Sequence, residues 1–387
     1  MYNLRSYGGS HPTSGSWDGP RLRIIRSHPT VIARPSLQLR TKRQEVDMLR
    51  PKSRTLLVTG VLVAASLLLL ALSDPVRHSS VDPLATAVED GIVSSSAHLL
   101  VIYSYYYSNP PLHPDEENLL FFSHHGIYYD DPRVTYLLLF ATDDIPISMA
   151  EFGESRLAKG LPKRWFYATN VHVSWVTNGI YDLCNYKNAF SRPLFRQLAA
   201  KATFFFFLNA TVRGPFLPLY LRHLPWWVPF FDLMTESVSL VGPYVNCEIA
   251  PHVQSFAFLL DRSGLNIAKL TWQCPSPAVR TDPQLRMKWI GENEVALSRN
   301  IIKANRSFKV LLAAFYGIDG RKLGTSEPCV MANPTYKTQY FESHPTPYEV
   351  IFYKCGGDIH RGQGIPSISS HLLEIYTDAA QRTKTME

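Results

Sequence analysis

Hydrophobic positions along this chain fall into short unbroken runs, set apart by polar segments rich in Pro and Gly. The clearest is Phe204-Phe-Phe-Phe-Leu208, which stops abruptly at Asn209 and Thr211 and then at Arg213-Gly214-Pro215. A continuously apolar run bounded by turn residues predicts a strand buried on both faces, as in the middle of an α/β sheet. His98–Ser104 predicts a first strand, Val134–Ala141 a second that ends in Thr142-Asp143-Asp144, and Val171–Val176 a third with alternating apolar positions. After the first strand, Pro114-Asp115-Glu116-Glu117-Asn118 leads into Leu119-Leu-Phe-Phe, with acidic residues where a helix N-terminus favours them. After the third, residues 178–187 introduce a short helix. Strands alternating with helical segments predict an α/β fold with a mostly parallel sheet flanked by helices. Further on, the pattern predicts added strands at Ser239–Pro243 and Ser255–Leu260, an amphipathic helix from Glu292 to Ile302 and a strand over Val310–Phe315. The end of the chain, after Gly356, is Gly- and Ser-rich and closes in a short helix.

Ligands of such sheets bind outside the carboxyl ends of the strands. Asn209, Thr211 and Arg213 are therefore candidates for a site, the alternative being an ordinary polar turn after a core strand.

Charge divides the chain. Up to Arg54 there are eleven Lys and Arg against three Asp and Glu, out of 39 and 32 in all 387 residues, so the body is close to neutral. That excludes a basic body built to track nucleic-acid phosphates. Residues 1–54 are rich in Ser, Pro, Gly and Arg and predict a disordered basic tail. Thr55–Ser73 carries no charge, and its length matches a single membrane-spanning helix. Positive charge on its N-terminal flank predicts a signal anchor with a cytoplasmic tail, that is, a single-pass type II membrane protein whose body lies in the lumen of the Golgi or endoplasmic reticulum. A cleaved signal peptide is the rival, with Ala71-Leu72-Ser73 as its cleavage site, and an organelle transit peptide a third reading. A polar stem, 74–97, leads to the lumenal body, 98–387.

Five cysteines lie in the body, at positions 184, 247, 274, 329 and 355. A lumenal location permits one or two disulfides with pairing open, and the spacings match no zinc pattern. Asn305-Arg-Ser307 is a usable glycosylation sequon, whereas Asn209-Ala-Thr211 sits at the end of a buried strand. No Gly-x-Ser-x-Gly elbow, His-Glu-x-x-His, P-loop or intact dinucleotide fingerprint occurs.

Several segments, in order, resemble one family. They are Val101-Ile-Tyr-Ser-Tyr, Glu117-Asn118-Leu-Leu-Phe-Phe with His125-Gly126, Asn178-Gly-Ile-Tyr-Asp182-Leu-Cys-Asn-Tyr186, and Phe207-Leu-Asn209-Ala-Thr-Val-Arg213-Gly-Pro-Phe-Leu-Pro218. Leu240-Val-Gly-Pro, His252-Val-Gln254-Ser255-Phe, Glu294-Val-Ala-Leu-Ser298-Arg and Tyr316-Gly-Ile-Asp319 follow. Together they resemble glycosyltransferases related to rhamnan synthesis protein F, including membrane-anchored eukaryotic relatives, over roughly residues 99–355. The resemblance implies a GT-A-like fold, a nucleotide-sugar donor, and a glycan or lipid-linked acceptor.

It also implies roles for particular residues. GT-A enzymes commonly carry Asp-x-Asp where the Asn209 strand ends, and those carboxylates hold Mn²⁺ or Mg²⁺ against the diphosphate. Here the triplet is Asn209-Ala210-Thr211, with no carboxylate for a hard cation, so the metal ligands are unassigned and Arg213 would supply positive charge directly. Asp182, after a flexible Asn178-Gly179, would accept hydrogen bonds from ribose or donor-sugar hydroxyls, or else cap a helix. His252 and Gln254, two apart on an extended segment, would face donor or acceptor hydroxyls, or His252 would be a satisfied structural histidine. Glu294 would be the catalytic base at a late helix start, or simply a dipole partner. Asp143-Asp144 reads as a solvated loop, and Trp226-Trp227 with Phe230-Phe231 as core. The alternative to a transferase is a catalytically inactive relative that binds glycans or scaffolds other enzymes. A surface protein without sugar chemistry is a third class.

Overall fold

The four apolar runs become four parallel strands: β1 (Leu99–Tyr106), β2 (Val134–Thr142), β3 (Val171–Thr177) and β4 (Phe204–Asn209). The computed structural model describes residues 97–107, 113–143, 148–329, 333–336, 338–355 and 370–384. The tail 1–54, the apolar span 55–73, the stem up to residue 96 and Asp144 lie outside the described residues. Among the described residues, no helix is long and apolar enough to cross a membrane.

Beyond β4 come β5 (Val212–Arg213), β6 (Val238–Gly242), β7 (Val245–Asn246), β8 (His252–Val253), β9 (Ala257–Asp261), β10 (Ser307–Val310) and β11 (Tyr353–Lys354). The main sheet runs β10-β6-β9-β4-β1-β2-β3, with β9 antiparallel to both its neighbours. β5 pairs with β11, and β7 with β8, in two small antiparallel ribbons. This is a mixed α/β architecture with a mostly parallel central sheet flanked by helices.

Alternation along β4 explains why five apolar residues stand in a row. Phe204 and Phe206 face Trp226, Phe230 and Phe231, with ring centroids 4.8 to 4.9 Å apart. Phe207 faces the other way, onto Tyr186, Phe258 and Trp272 at 4.9 to 5.4 Å. Both faces of the strand are therefore core. Emptying one such buried Phe to Ala costs about 3–5 kcal/mol. Trp226 and Trp227 are fully buried, and the Trp226 indole donates to the Gly126 carbonyl. β3 ends the sheet and stays half-buried, which is what its alternating pattern reflects.

Two predicted elements shift. The strand expected over Val310–Phe315 instead occupies Ser307–Val310, and residues 313–315 form a 3₁₀ turn. The amides of Leu311 and Leu312 bond to the Gly242 and Pro243 carbonyls past the sheet edge, so the apolar run marks burial rather than extended chain. The helix expected from Glu292 starts earlier, at Pro283, where Asp282 accepts from the Gln284 and Leu285 amides as N-cap. It runs through a wide π turn over Gly291–Val295 and continues as Ala296–Lys303. Glu294 thus lies inside a long helical segment, not at its start.

Candidate functional site

Ser104 and Asn209 are register partners at the carboxyl ends of β1 and β4. From β1 the chain moves to β2 and β3 on one side, while β4 lies on the other, so the strand order reverses between these two residues. In open α/β sheets that reversal is where ligands bind.

A hydrogen-bonded chain of side chains crosses this point. The Asn209 amide Nδ2 donates to Asp182 Oδ2 at 2.5 Å, while Asn209 Oδ1 accepts from the Thr211 amide at 3.0 Å and from Thr211 Oγ1 at 2.5 Å. Lys354 Nζ donates in turn to Thr211 Oγ1. Lys354 arrives from far along the sequence because β11 pairs with β5 and the Cys355 amide bonds to the Thr211 carbonyl. Its ammonium also lies 5.0 Å from the centre of the Phe256 ring. On the near side, Ser104 Oγ accepts from Asn185 Nδ2, and Asn185 Oδ1 accepts from the Gly179 amide, which fixes the turn leading into the helix Asp182–Phe190.

Arg213 sits beside this chain. Its Nε donates to Asn118 Oδ1 at 2.9 Å and its Nη2 to Glu117 Oε2 at 2.9 Å, while Asn118 Nδ2 donates to the Ala210 carbonyl. The helix His113–His125 therefore braces both the guanidinium and the backbone just past β4. Glu294 reaches in from the π turn, and its Oε1 accepts the Ser255 amide at 2.8 Å. Such wide turns recur where a helix presents a functional side chain.

Charge is concentrated here. Burial raises the Asp182 carboxyl above its usual range; the Asn209 hydrogen bond and Lys354 pull it down, and Glu294 pushes it up further. Burial lowers the Lys354 ammonium, against the pull of Asp182, Asp115 and Glu294. Asp115 is raised to about 6 by burial, with Lys354 opposing. Buried polar atoms without a hydrogen-bond partner cluster in the same region: the Tyr103 hydroxyl, Asp115 Oδ1 and the Tyr186 hydroxyl. Asp182, Thr211, Glu294 and Lys354 are each partly exposed as residues.

Of the residues singled out from sequence, Asp182, Asn209 and Thr211 are brought into direct contact, Arg213 lies alongside, and Glu294 lies within electrostatic reach of Asp182 and Lys354. Asn178 follows β3, two strands from β1, and donates to Asp143 Oδ1 at 3.0 Å. Asp143, exposed just past the end of β2 as the solvated-loop reading expects, also accepts from the Tyr106 hydroxyl and from Arg280. His252 shares none of the hydrogen bonds described above. It is 2% exposed, and its Nδ1 pairs with the Ala250 carbonyl two residues back. Gln254 is also buried and donates to Asn333 Oδ1. The period of two puts both on one face, and in the β7–β8 ribbon both are buried, with Ser298 Oγ of the 296–303 helix accepting the Val253 amide between them.

The Asn209-Ala210-Thr211 triplet leaves no free side-chain oxygen for Mn²⁺ or Mg²⁺. A hard cation needs several free oxygen ligands. Asn209 Oδ1 already accepts two bonds, and an ammonium occupies Thr211 Oγ1. Among the described residues, no group of three or more His, Cys, Asp or Glu converges to hold a metal ion. Cavities of about 310 Å³, beside Trp165, His172 and Leu194, and about 240 Å³, beside His124, Tyr128 and Arg222, lie away from this network.

No family model and no curated protein matches the chain in sequence. Among solved structures it is similar to mouse xyloside xylosyltransferase 1 in its apo form, at a TM-score of 0.32 and 10% identity, over 68% of this chain and 98% of that one. It is also similar to the apo bifunctional glycosyltransferase WbbM, at a TM-score of 0.31 and 7% identity, over 63% of this chain and 48% of that one. A third is a glycosyltransferase involved in glycosylation of the major capsid of PBCV-1, at 0.24 and 13%, over 49% and 73%. These structural neighbours are glycosyltransferases. What the site can do is read from its own residues.

Three residues escaped the sequence reading. Lys354 follows Phe352-Tyr353, and a lone cation closing an apolar run is a weak signal of a buried charge. Asp115 looked like a helix-terminal acid, and Asn118 like part of the same turn. Their place at the site depends on the β5–β11 pairing and on the packing of the first helix, neither of which has a local signature.

Proposed function

We propose that this chain is a glycosyltransferase that moves a sugar from a nucleotide-sugar donor to a glycan or lipid-linked acceptor. The observation that carries the reading is the Asp182–Asn209–Thr211–Lys354 chain at the strand-order reversal, with Arg213 beside it. It puts hydrogen-bonding groups for hydroxyls next to fixed positive charge for a diphosphate, at the place where this architecture binds ligands. The resemblance of the segments over residues 99–355 to the rhamnan synthesis protein F family points the same way.

In this reading Asp182 takes hydroxyls of the ribose or donor sugar, and Arg213 faces the diphosphate. Glu294 is the base. The acceptor hydroxyl oxygen attacks the anomeric carbon, its proton passes to the Glu294 carboxylate, and the carbon–oxygen bond to the diphosphate breaks with the electron pair leaving on the nucleoside diphosphate. Asn178 serves the donor side, while His252 and Gln254 shape the wall behind Glu294. The anchor at 55–73 would hold this body in the Golgi or endoplasmic reticulum lumen, where such donors and acceptors meet. The missing carboxylates at Asn209-Ala210-Thr211 favour one second reading, an inactive relative that binds glycans.

Thermal melting with a panel of nucleoside diphosphates and nucleotide sugars tests the first reading. A ligand present at a hundred times its Kd adds about 2.7 kcal/mol, a rise of several degrees for a body of this size. If one nucleotide sugar raises the melting temperature and is consumed, the transferase stands. If none shifts it at millimolar concentration while a glycan does, the binding protein replaces it.

A further inference from the structure

We propose that the Lys354 ammonium is the protein's own cation for the donor diphosphate, so that donor binding needs no divalent metal. This rests on the transferase reading above and specifies how its donor site works.

Three independent features support it. The first is delivery. β11 pairs with β5, the Cys355 amide bonds to the Thr211 carbonyl, and the lysine is carried across a sequence separation of 143 residues to the end of β4. The second is fixation. The ammonium bonds to Thr211 Oγ1 and stacks over the Phe256 ring at 5.0 Å, so its position is set before a ligand arrives. A charge held in place costs no reorganisation when an anion binds. The third is the donor set. Within the Asn209-Ala210-Thr211 triplet, the side-chain oxygens are committed to Thr211 and Lys354.

Lys354 pairs with Val212 in the β5–β11 ribbon, and Arg213 follows Val212, oriented by Asn118 and Glu117 at 2.9 Å each. Asp182, Asp115 and Glu294 pull the ammonium toward its charged form against the effect of burial.

The test is isothermal titration of the full chain with UDP, GDP, CDP and inorganic pyrophosphate, once in EDTA and once with Mn²⁺. At least one nucleoside diphosphate should bind with a Kd that changes by less than about threefold between the two conditions, and Lys354→Met should weaken it at least about tenfold, the loss expected of one charge-assisted hydrogen bond. Lys354→Arg should keep most of the affinity. Should Lys354→Met not fold, Thr211→Val carries the test, because removing the hydroxyl anchor should weaken binding while leaving the charge. Binding that appears only with Mn²⁺ overturns the built-in cation and leaves the transferase standing. Undiminished affinity of Lys354→Met or of Thr211→Val in EDTA overturns it too. Failure of every nucleoside diphosphate and of pyrophosphate to bind in either condition overturns the transferase reading itself.

Discussion

The Asn209 side-chain amide donates to the Asp182 carboxylate at 2.5 Å, joining the end of β4 to the first turn of the helix Asp182–Phe190. An amide in that place lets a carboxylate lie deep beside a strand end without a second negative charge. Asn209→Asp would set two carboxylates at hydrogen-bond distance, and like charges so close cannot both ionise. We expect the variant to lose about 1–3 kcal/mol of stability at pH 7 in EDTA. The proton shared by the new pair has a raised folded pKa, so the loss should shrink as pH falls toward about 5. Mn²⁺ should stabilise the variant and not the parent. Chemical denaturation at the two pH values, with and without the metal, measures this, and equal stability of variant and parent at pH 7 would separate the two side chains.

The cysteines make a second prediction. Cys184 is bonded to Cys274 and Cys247 to Cys329, leaving Cys355 as the free thiol of the five. Burial pushes the Cys355 thiol up to about 11, so little thiolate exists near neutrality. Peptide mapping without reductant should return those two pairs. Iodoacetamide at pH 8 should label the native chain slowly and the unfolded chain rapidly, with one equivalent. Fast native labelling would mean that residues 353–355 do not pack against Asn118 and Arg213.

Gly179 offers a third. A Cβ there would meet Cys184 Sγ at 2.3 Å and Cys184 Cβ at 2.5 Å, inside the turn that leads to Asp182. Gly179→Ala should therefore push the start of that helix away from β4, costing about 1–3 kcal/mol by overpacking. Because Asp182 moves with the helix, donor affinity should fall along with the melting temperature. A variant that melts lower but binds the nucleotide unchanged would detach Asp182 from the donor site.

Much of this arrangement was legible in the chain, and the rest for physical reasons was not. The runs at Val101, Val134 and Phe204 announce buried parallel strands because both faces of each must be apolar, and the abrupt polar stop at Asn209 marks the sheet edge. An apolar run carries no direction, so the antiparallel β9 between β4 and β6 could not be read from Ala257–Leu260. Glu294 was visible as a residue, but its place inside a continuous helix depended on the cap at Asp282-Pro283. His252 and Gln254 show the limit of periodicity, which says that two side chains share a face and leaves open whether that face looks out or in. Lys354 was hidden by distance: nothing near it in sequence tells that Thr211 is its partner.

Asp115 supplies the pH dependence. Burial raises its carboxyl from 3.8 to about 6, with Lys354 opposing, and its Oδ1 has no hydrogen-bond partner. A folded value above the unfolded one means that folding favours the protonated form. Its stabilising contribution is full below about pH 4 and is lost as pH rises through about 6. Asp115→Asn mimics the protonated acid at every pH. Relative to the variant, the parent should therefore lose up to about 3 kcal/mol between pH 4 and pH 7.5, the ceiling set by a shift of about two pH units. Urea denaturation of both proteins at the two pH values gives the difference, in which the other titrating groups cancel. A gap that does not change with pH would mean that the carboxyl ionises as it does in water. Lys354 is the cation that restrains the shift, so Lys354→Met should widen the gap, and a double-mutant cycle over Asp115 and Lys354 would measure their coupling directly.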